Sequence, residues 1–169
     1  MAKLNLMSAA LIGVLSITSS AIAGQFPTIK AQNLNKVEMN LPQDFGARRS
    51  IVMIAYTQGQ QDDVNTWLPF LDQASKKSGV KYYEVPVISS GYSLMRGFID
   101  NGMRSGITSK STRAKTITLY TNVSKFNREV GVSGKRSIHA IVIDRNGKVL
   151  ANVSGAFSKD KAKKISAAL

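Results

Sequence analysis

The chain has 169 residues, 43% of them hydrophobic, with 23 Lys+Arg against 10 Asp+Glu for a formal charge of +13, and no Cys. That apolar content is enough to build a core, which excludes a disordered chain. The missing thiol excludes a disulfide-stapled scaffold, a Cys-ligated metal or haem site and any thiol enzyme, and the length suits one domain.

Lys3, the apolar stretch from Leu4 to Ile17 and the small-x-small Ala21-Ile22-Ala23 predict a secretory signal peptide over residues 1–23, cut before Gly24. The stretch is broken by Ser16, Thr18, Ser19 and Ser20 and falls short of the roughly 20 residues a membrane span needs. No Cys follows it, so lipoprotein anchoring there has no acceptor. The expected location is the periplasm of a Gram-negative-type bacterium, or its exterior. On that reading the sequons Asn122-Val123-Ser124 and Asn152-Val153-Ser154 are chance matches.

Residues 24–35 read as an exposed, mostly polar lead-in, and residues 36–169 as the folded domain. Val37 to Leu41 alternates apolar and polar as a half-buried strand does. Ile51 to Tyr56 is continuously apolar, the pattern of a strand covered on both faces. After the loop Gln58-Gly59-Gln60-Gln61, Asp62 and Asp63 are expected to cap a helix. Its apolar positions are Val64, Trp67, Leu68, Leu71 and Ala74, with a kink at Pro69. Val80 to Val87 is a strand, expected near an edge because Pro86 cannot donate to a ladder.

Leu94, Met95, Phe98, Ile99 and Met103 predict an amphipathic helix, with Arg96, Asp100 and Arg104 as an i,i+4 ladder on its other face. Residues 106–115 read as a basic loop and Thr116 to Tyr120 as a strand. A short helix capped by Asn122 or Ser124 should end at Gly131. Ile138 to Ile143 is a buried strand, Asp144-Arg145-Asn146-Gly147 a hairpin turn, and Lys148 to Ser154 the return strand. Ser158 then caps a final helix carrying Ala162, Ile165 and Leu169. The order implies a central mixed sheet with helices on both faces.

Three stretches carry a family likeness. They are Ile51-Val-Met-Ile-Ala-Tyr-Thr57, the Pro69-bearing helix after Asp62, and Phe126 to Val132 followed by Ile138 to Val149 and Gly155. Together they resemble the thioredoxin-like superfamily in its longer peroxiredoxin-like or TlpA-like form. The resemblance implies an α/β three-layer fold, a central mixed sheet flanked by helices, with an inserted helix-loop segment around residues 89–115. More narrowly, residues 62–70, 103–107 and 116–120 look similar to fragments of the mitochondrial ATP-synthase assembly chaperone family and its bacterial relatives.

The chain departs from that superfamily where its chemistry sits. The reactive thiols belong in the loop before the kinked helix, which here is Gln58-Gly-Gln-Gln-Asp-Asp63. The usual cis-proline before the hairpin is replaced by Gly134-Lys-Arg-Ser137. Thiol–disulfide exchange and peroxide reduction need a thiolate, so both are excluded.

His139 alternates with Ile138 and Ala140 and reads as a packed strand residue; no His/Asp/Glu spacing suggests a metal and no cofactor is implied. Asp62 and Asp63 suit helix capping better than acid–base catalysis, and an enzyme using Asp62, Asp63 or His139 is the lesser alternative. Gly131 to Ser137 lacks phosphate-loop spacing.

Charge is uneven: residues 96–169 carry 15 basic and 4 acidic side chains. The candidate binding residues are Arg104, Lys110, Arg113, Lys115, Lys125, Arg128, Lys135 and Arg136, with a further cluster at Lys159, Lys161, Lys163 and Lys164. Gln58, Gln60, Gln61, Asp62 and Asp63 form a candidate contact loop. A cationic surface attracts anionic partners. The expected function is therefore non-catalytic binding of an envelope protein with an acidic surface, in a chaperone, assembly or accessory role. The alternative is an anionic polymer or lipid headgroup, with nucleic acid a minor possibility because aromatics are not interleaved with the basic runs.

Overall fold

A computed structural model describes residues 24–169; the predicted signal peptide lies outside them. Seven strands run in chain order as β1 (Ile29–Asn33), β2 (Glu38–Leu41), β3 (Arg49–Ala55), β4 (Val80–Ser89), β5 (Ile117–Thr121), β6 (His139–Asp144) and β7 (Val149–Ser154). They form one sheet in the order β2-β1-β5-β4-β3-β6-β7. β4 pairs in parallel with β3 and β5, and the remaining pairs are antiparallel.

The continuous apolar run of β3 follows from its place between β4 and β6. Val52 and Ile54 enter one core with Phe26, Phe45, Tyr83 and Phe126. Ile51 and Met53 enter the opposite one with Trp67, Leu71 and Ile165. The first core is covered by the N-terminal segment and α5 (Val123–Val130), the second by α1 (Gln61–Asn65), α2 (Leu68–Ala74) and α6 (Lys159–Ala167).

The structure corrects several expectations. Residues 24–35 are not an exposed lead-in: Ile29–Asn33 is β1, between β2 and β5, while Phe26 and Leu34 are buried. The strand was masked by weak apolar alternation, and polar Asn33 is buried because its Oδ1 accepts the N–H groups of Asn35 and Val37. The Pro69 helix is two helices, not one with a kink. Proline lacks the N–H a helix interior needs but suits a first turn, where Pro69 lies in α2. Asp62 and Asp63 sit in the first turn of α1, whose cap position is Gln60, and neither caps it through its side chain.

β4 lies inside the sheet, not at an edge. Pro86 is tolerated because it falls in a gap of the β4–β5 ladder, between the bridge Glu84–Thr116 and the pair Val87–Leu119. Residues 106–115 are not all loop: Ser109 Oγ accepts the Thr112 N–H and starts α4 (Lys110–Lys115).

The second half follows its turn chemistry closely. Asn122 caps α5 through the Lys125 N–H, and Gly131 ends it at φ 71°. Asp144 Oδ1 accepts the N–H groups of Asn146 and Lys148, and Gly147 takes φ 84° in the hairpin. A Cβ on Gly147 would meet Gln25 and Pro42 at 2.8 Å, so this glycine also lets the N-terminal segment close against the turn. Ser158 Oγ accepts the Lys161 N–H at the start of α6.

The remaining helix, α3 (Arg96–Gly106), starts later than expected, after a 3₁₀ turn over Ser90–Met95, and its apolar stripe is divided. Asp100 and Arg104 of its polar ladder meet the protein, but Ile99 and Met103 are half-buried beside them; the outward apolar residues are Phe98 and, in the preceding turn, Leu94 and Met95. Arg96, Asp100 and Arg104 make no ion pairs with each other; among the described residues the ion pairs are Lys125–Glu129 and Lys163–Asp160.

Candidate functional site

β3 ends at Ala55 and delivers the chain into the turn where the thiols of a redox site would be expected. Gln60 decides the shape of that turn. It is 8% exposed. Its Oε1 accepts the Tyr56 N–H at 2.8 Å, and its Nε2 donates to the Lys135 carbonyl at 2.8 Å. One amide thus closes the loop on itself and ties it to the segment before β6. A glutamine suits this because it carries a donor and an acceptor on one side chain.

A second bridge runs beside the first. The Tyr56 hydroxyl donates to Asn127 Oδ1 at 2.8 Å, and Asn127 Nδ2 donates to the Gly134 carbonyl at 3.0 Å. Burial raises the Tyr56 pKa to about 12, with the Asn127 hydrogen bond pulling it back. The phenol stays a neutral donor. These links hold β3, α5 and residues 134–135 together by neutral side chains. The exposed remainder of the loop is Gln58, Gly59, Gln61 and Asp62, with open space around Gly59. Tyr56, Asn127 and Gly134 were not identified from the sequence; only the placement of a buried amide beside a tyrosine reveals them.

His139 begins β6 and is 3% exposed, its ring edge-on to Tyr56 at 6.1 Å between centroids. It packs as a strand residue, as its alternation suggests. Neither ring nitrogen has a partner at hydrogen-bonding distance, although Ser133, Gly134 and Asn152 surround it. Burial lowers its pKa below 6.5, with those neighbours pulling weakly the other way. A depressed folded pKa contributes stability above the unfolded value, lost as pH falls through the folded one. The urea midpoint should therefore fall as pH drops from about 7 toward 5, and His139→Leu should flatten this slope. Parallel slopes for both proteins would refute the assignment.

An open cleft of about 340 Å³ lies beside His139, with Ser133, Asn152, Lys161 and Lys164 in its lining. Neither Asp62 nor Asp63 lines it, so the structure does not gather the three residues of the enzyme alternative into one cavity. Among the described residues no group of three or more His, Asp or Glu is placed to hold a metal ion.

The cationic candidates are dispersed. Arg104 donates to the Leu34 carbonyl, and Arg113 donates to the carbonyls of Ile107 and Thr108 and to Asn35 Oδ1. The Lys115 ammonium stands 4.1 Å from the centre of the Tyr82 ring. These three are used in holding the fold. Lys125 pairs with Glu129. Lys125 and Arg128 belong to α5, over the Phe26 core, whereas Lys115 lies over Tyr82 in the Trp67 core, on the opposite face of the sheet. Lys110, Arg128, Lys135 and Arg136 are exposed. Lys135 and Arg136 stand next to the Gln58–Asp63 loop because Gln60 binds the Lys135 carbonyl.

No protein-family model matches the chain, and no curated protein matches it by sequence. Solved structures do. A putative electron transfer protein from Aquifex aeolicus VF5 superposes with a TM-score of 0.59 at 10% identity, covering 86% of this chain and 93% of that one. A putative thiol:disulfide interchange protein DsbE from Chlorobium tepidum gives 0.56 at 16%, covering 86% and 96%. The exposed lipoprotein thioredoxin Etrx1 from Streptococcus pneumoniae strain TIGR4 gives 0.54 at 18%, covering 83% and 98%. Among the described residues no helix is long and apolar enough to cross a membrane. The mixed sheet, the helices on its two faces and this likeness agree on one architecture: the chain has the thioredoxin-like fold, built without a single cysteine.

Proposed function

We propose that this chain is an exported thioredoxin-like protein that works by binding and not by thiol chemistry. The surface it uses is the exposed part of the Gln58–Asp63 loop together with Lys135 and Arg136. Its partner is an envelope protein with an acidic surface, in a chaperone, assembly or accessory role. The observation that carries this reading is Gln60. A buried amide holds the loop where a redox site would need a thiolate, and it joins the loop to a segment bearing two exposed cations, Lys135 and Arg136. A surface held by neutral hydrogen bonds is preorganised, which lowers the entropy cost of binding. Export is supported by the signal-like residues 1–23.

Lys135→Glu/Arg136→Glu tests the reading. Both side chains are exposed, so the fold should tolerate the change. Capture of an acidic protein from an envelope fraction should drop at least tenfold with the double variant and weaken with salt, as interface charges require. Undiminished capture by the variant would overturn the proposed surface.

A further inference from the structure

The first part of the segment between β4 and β5 presents Tyr92, Leu94, Met95 and Phe98 outward, while Ile99 and Met103 are half-buried. Tyr92, Leu94 and Met95 lie in the 3₁₀ turn Ser90–Met95 and Phe98 in the first turn of α3, whose Arg96, Asp100 and Arg104 form a separate stripe. A helix packed for stability turns its apolar stripe to the core. Here the polar stripe is pinned to the body beside Ile99 and Met103, which leaves Phe98 outward. The Tyr120 hydroxyl donates to Asp100 at 2.9 Å, the Arg96 guanidinium lies 4.6 Å from the Tyr120 ring centre, and Arg104 donates to the Leu34 carbonyl. Leu94 is left 101% exposed and Phe98 78%, with Met95 and Tyr92 about half exposed beside them. These contacts fix the orientation, and the result is an apolar ridge rather than a groove.

The surrounding charge indicates what covers the ridge. Residues 89–115 hold five cations and one acid, Asp100, which is turned to Tyr120; Arg104, Arg113 and Lys115 are engaged with the fold, while Arg96 and Lys110 are exposed. Lys36 is exposed and shares an open cleft with Arg96, Gly97 and Arg104, and Lys110 is exposed with its carbonyl accepting from the Asn35 amide. A second copy would set the same cations against each other across a symmetric contact, and like charges oppose that. A ridge of protruding leucine, methionine and phenylalanine in a segment of net positive charge matches the chemistry of a surface that seats on an anionic membrane. We propose that the Tyr92–Phe98 ridge docks on an anionic bilayer, with Leu94 and Phe98 entering the headgroup–acyl boundary and the net positive charge of the segment drawing lipid phosphates. This surface is separate from the loop assigned above to a protein partner, and either can fail alone.

The absence of cysteine makes a local test simple, since one introduced thiol takes one dye. Phe98→Cys in the full-length chain is labelled with an environment-sensitive fluorophore and mixed with phosphatidylglycerol/phosphatidylcholine vesicles. Emission should rise several-fold and shift to the blue, less so at high salt and little with phosphatidylcholine alone. A dye at Ser166→Cys, exposed on α6, should stay unchanged. With the dye at Met95→Cys, the pair Leu94→Gln/Phe98→Gln should lower the apparent partition coefficient at least tenfold, about the loss expected from removing one buried apolar side chain. No change at position 98 with anionic vesicles, or an equal change at position 166, would overturn the proposal. A lipid-independent signal that grows with protein concentration would assign the ridge to a second copy. A response to polyglutamate but not to vesicles would assign it to a protein. Each of these results also refutes membrane docking.

Discussion

Trp67→Ala should lower the unfolding free energy by about 3–5 kcal/mol, the largest effect of any single side chain considered. Trp67 is fully buried where α1 gives way to α2. Phe157 and Phe70 meet it edge-on, at 5.4 and 5.9 Å between ring centres, and its indole N–H donates to the Gly155 carbonyl at 3.1 Å. Alanine would leave a cavity and an unpaired carbonyl, and would loosen the approach of α6 to the sheet. Trp67→Phe should cost less, because it keeps most of the packing and loses the donor. Since Trp67 is the sole tryptophan, unfolding in urea is followed by circular dichroism. A loss below about 1 kcal/mol for Trp67→Ala, outside the range for emptied aromatic sites, would contradict this packing account.

Gln60→Leu should cost roughly 2–4 kcal/mol, from two backbone groups that each lose a partner. The substitution keeps much of the volume, so the loss falls on the Tyr56 N–H and the Lys135 carbonyl. Amide exchange at Tyr56 should quicken beyond what the global loss explains, because local opening becomes easier. Gln58→Leu, at an exposed position a few residues away, should change stability by no more than about 0.5 kcal/mol. If the two variants lose equal stability, Gln60 is not the residue that holds the loop.

The parts of the fold legible in the sequence are those written in local signals. The apolar runs of β3 and β6, the caps Asn122 and Ser158, the hairpin at Asn146-Gly147 and the C-terminal Gly131 each state their structure within a few residues. What stayed hidden depends on partners far along the chain. Asn33 is buried in β1 because it closes its own turn and β5 pairs beside it, some 85 residues on. The periodicity around α3 does not show that Phe98 turns outward while Ile99 and Met103 turn in; the contacts of Asp100 and Arg104 with Tyr120 and Leu34 settle that. In the Gln58–Gln61 run, composition cannot say which amide turns inward. For the same reason a count of basic residues overstated the free cationic surface, since Arg104, Arg113 and Lys115 bind backbone carbonyls and an aromatic ring. The redox departure needed no geometry, because a missing sulfur is visible in the sequence itself.

The most direct measurement is site-specific photocrosslinking in the native envelope, with a photoreactive side chain at exposed Gln58 or Gln61 and the adducts identified by mass spectrometry. The account predicts one recurrent acidic protein crosslinked at both positions, lost in Lys135→Glu/Arg136→Glu and unaffected at a probe placed on exposed Ser166. Adducts as abundant from Ser166 as from the loop, or undiminished after the charge reversal, would contradict it.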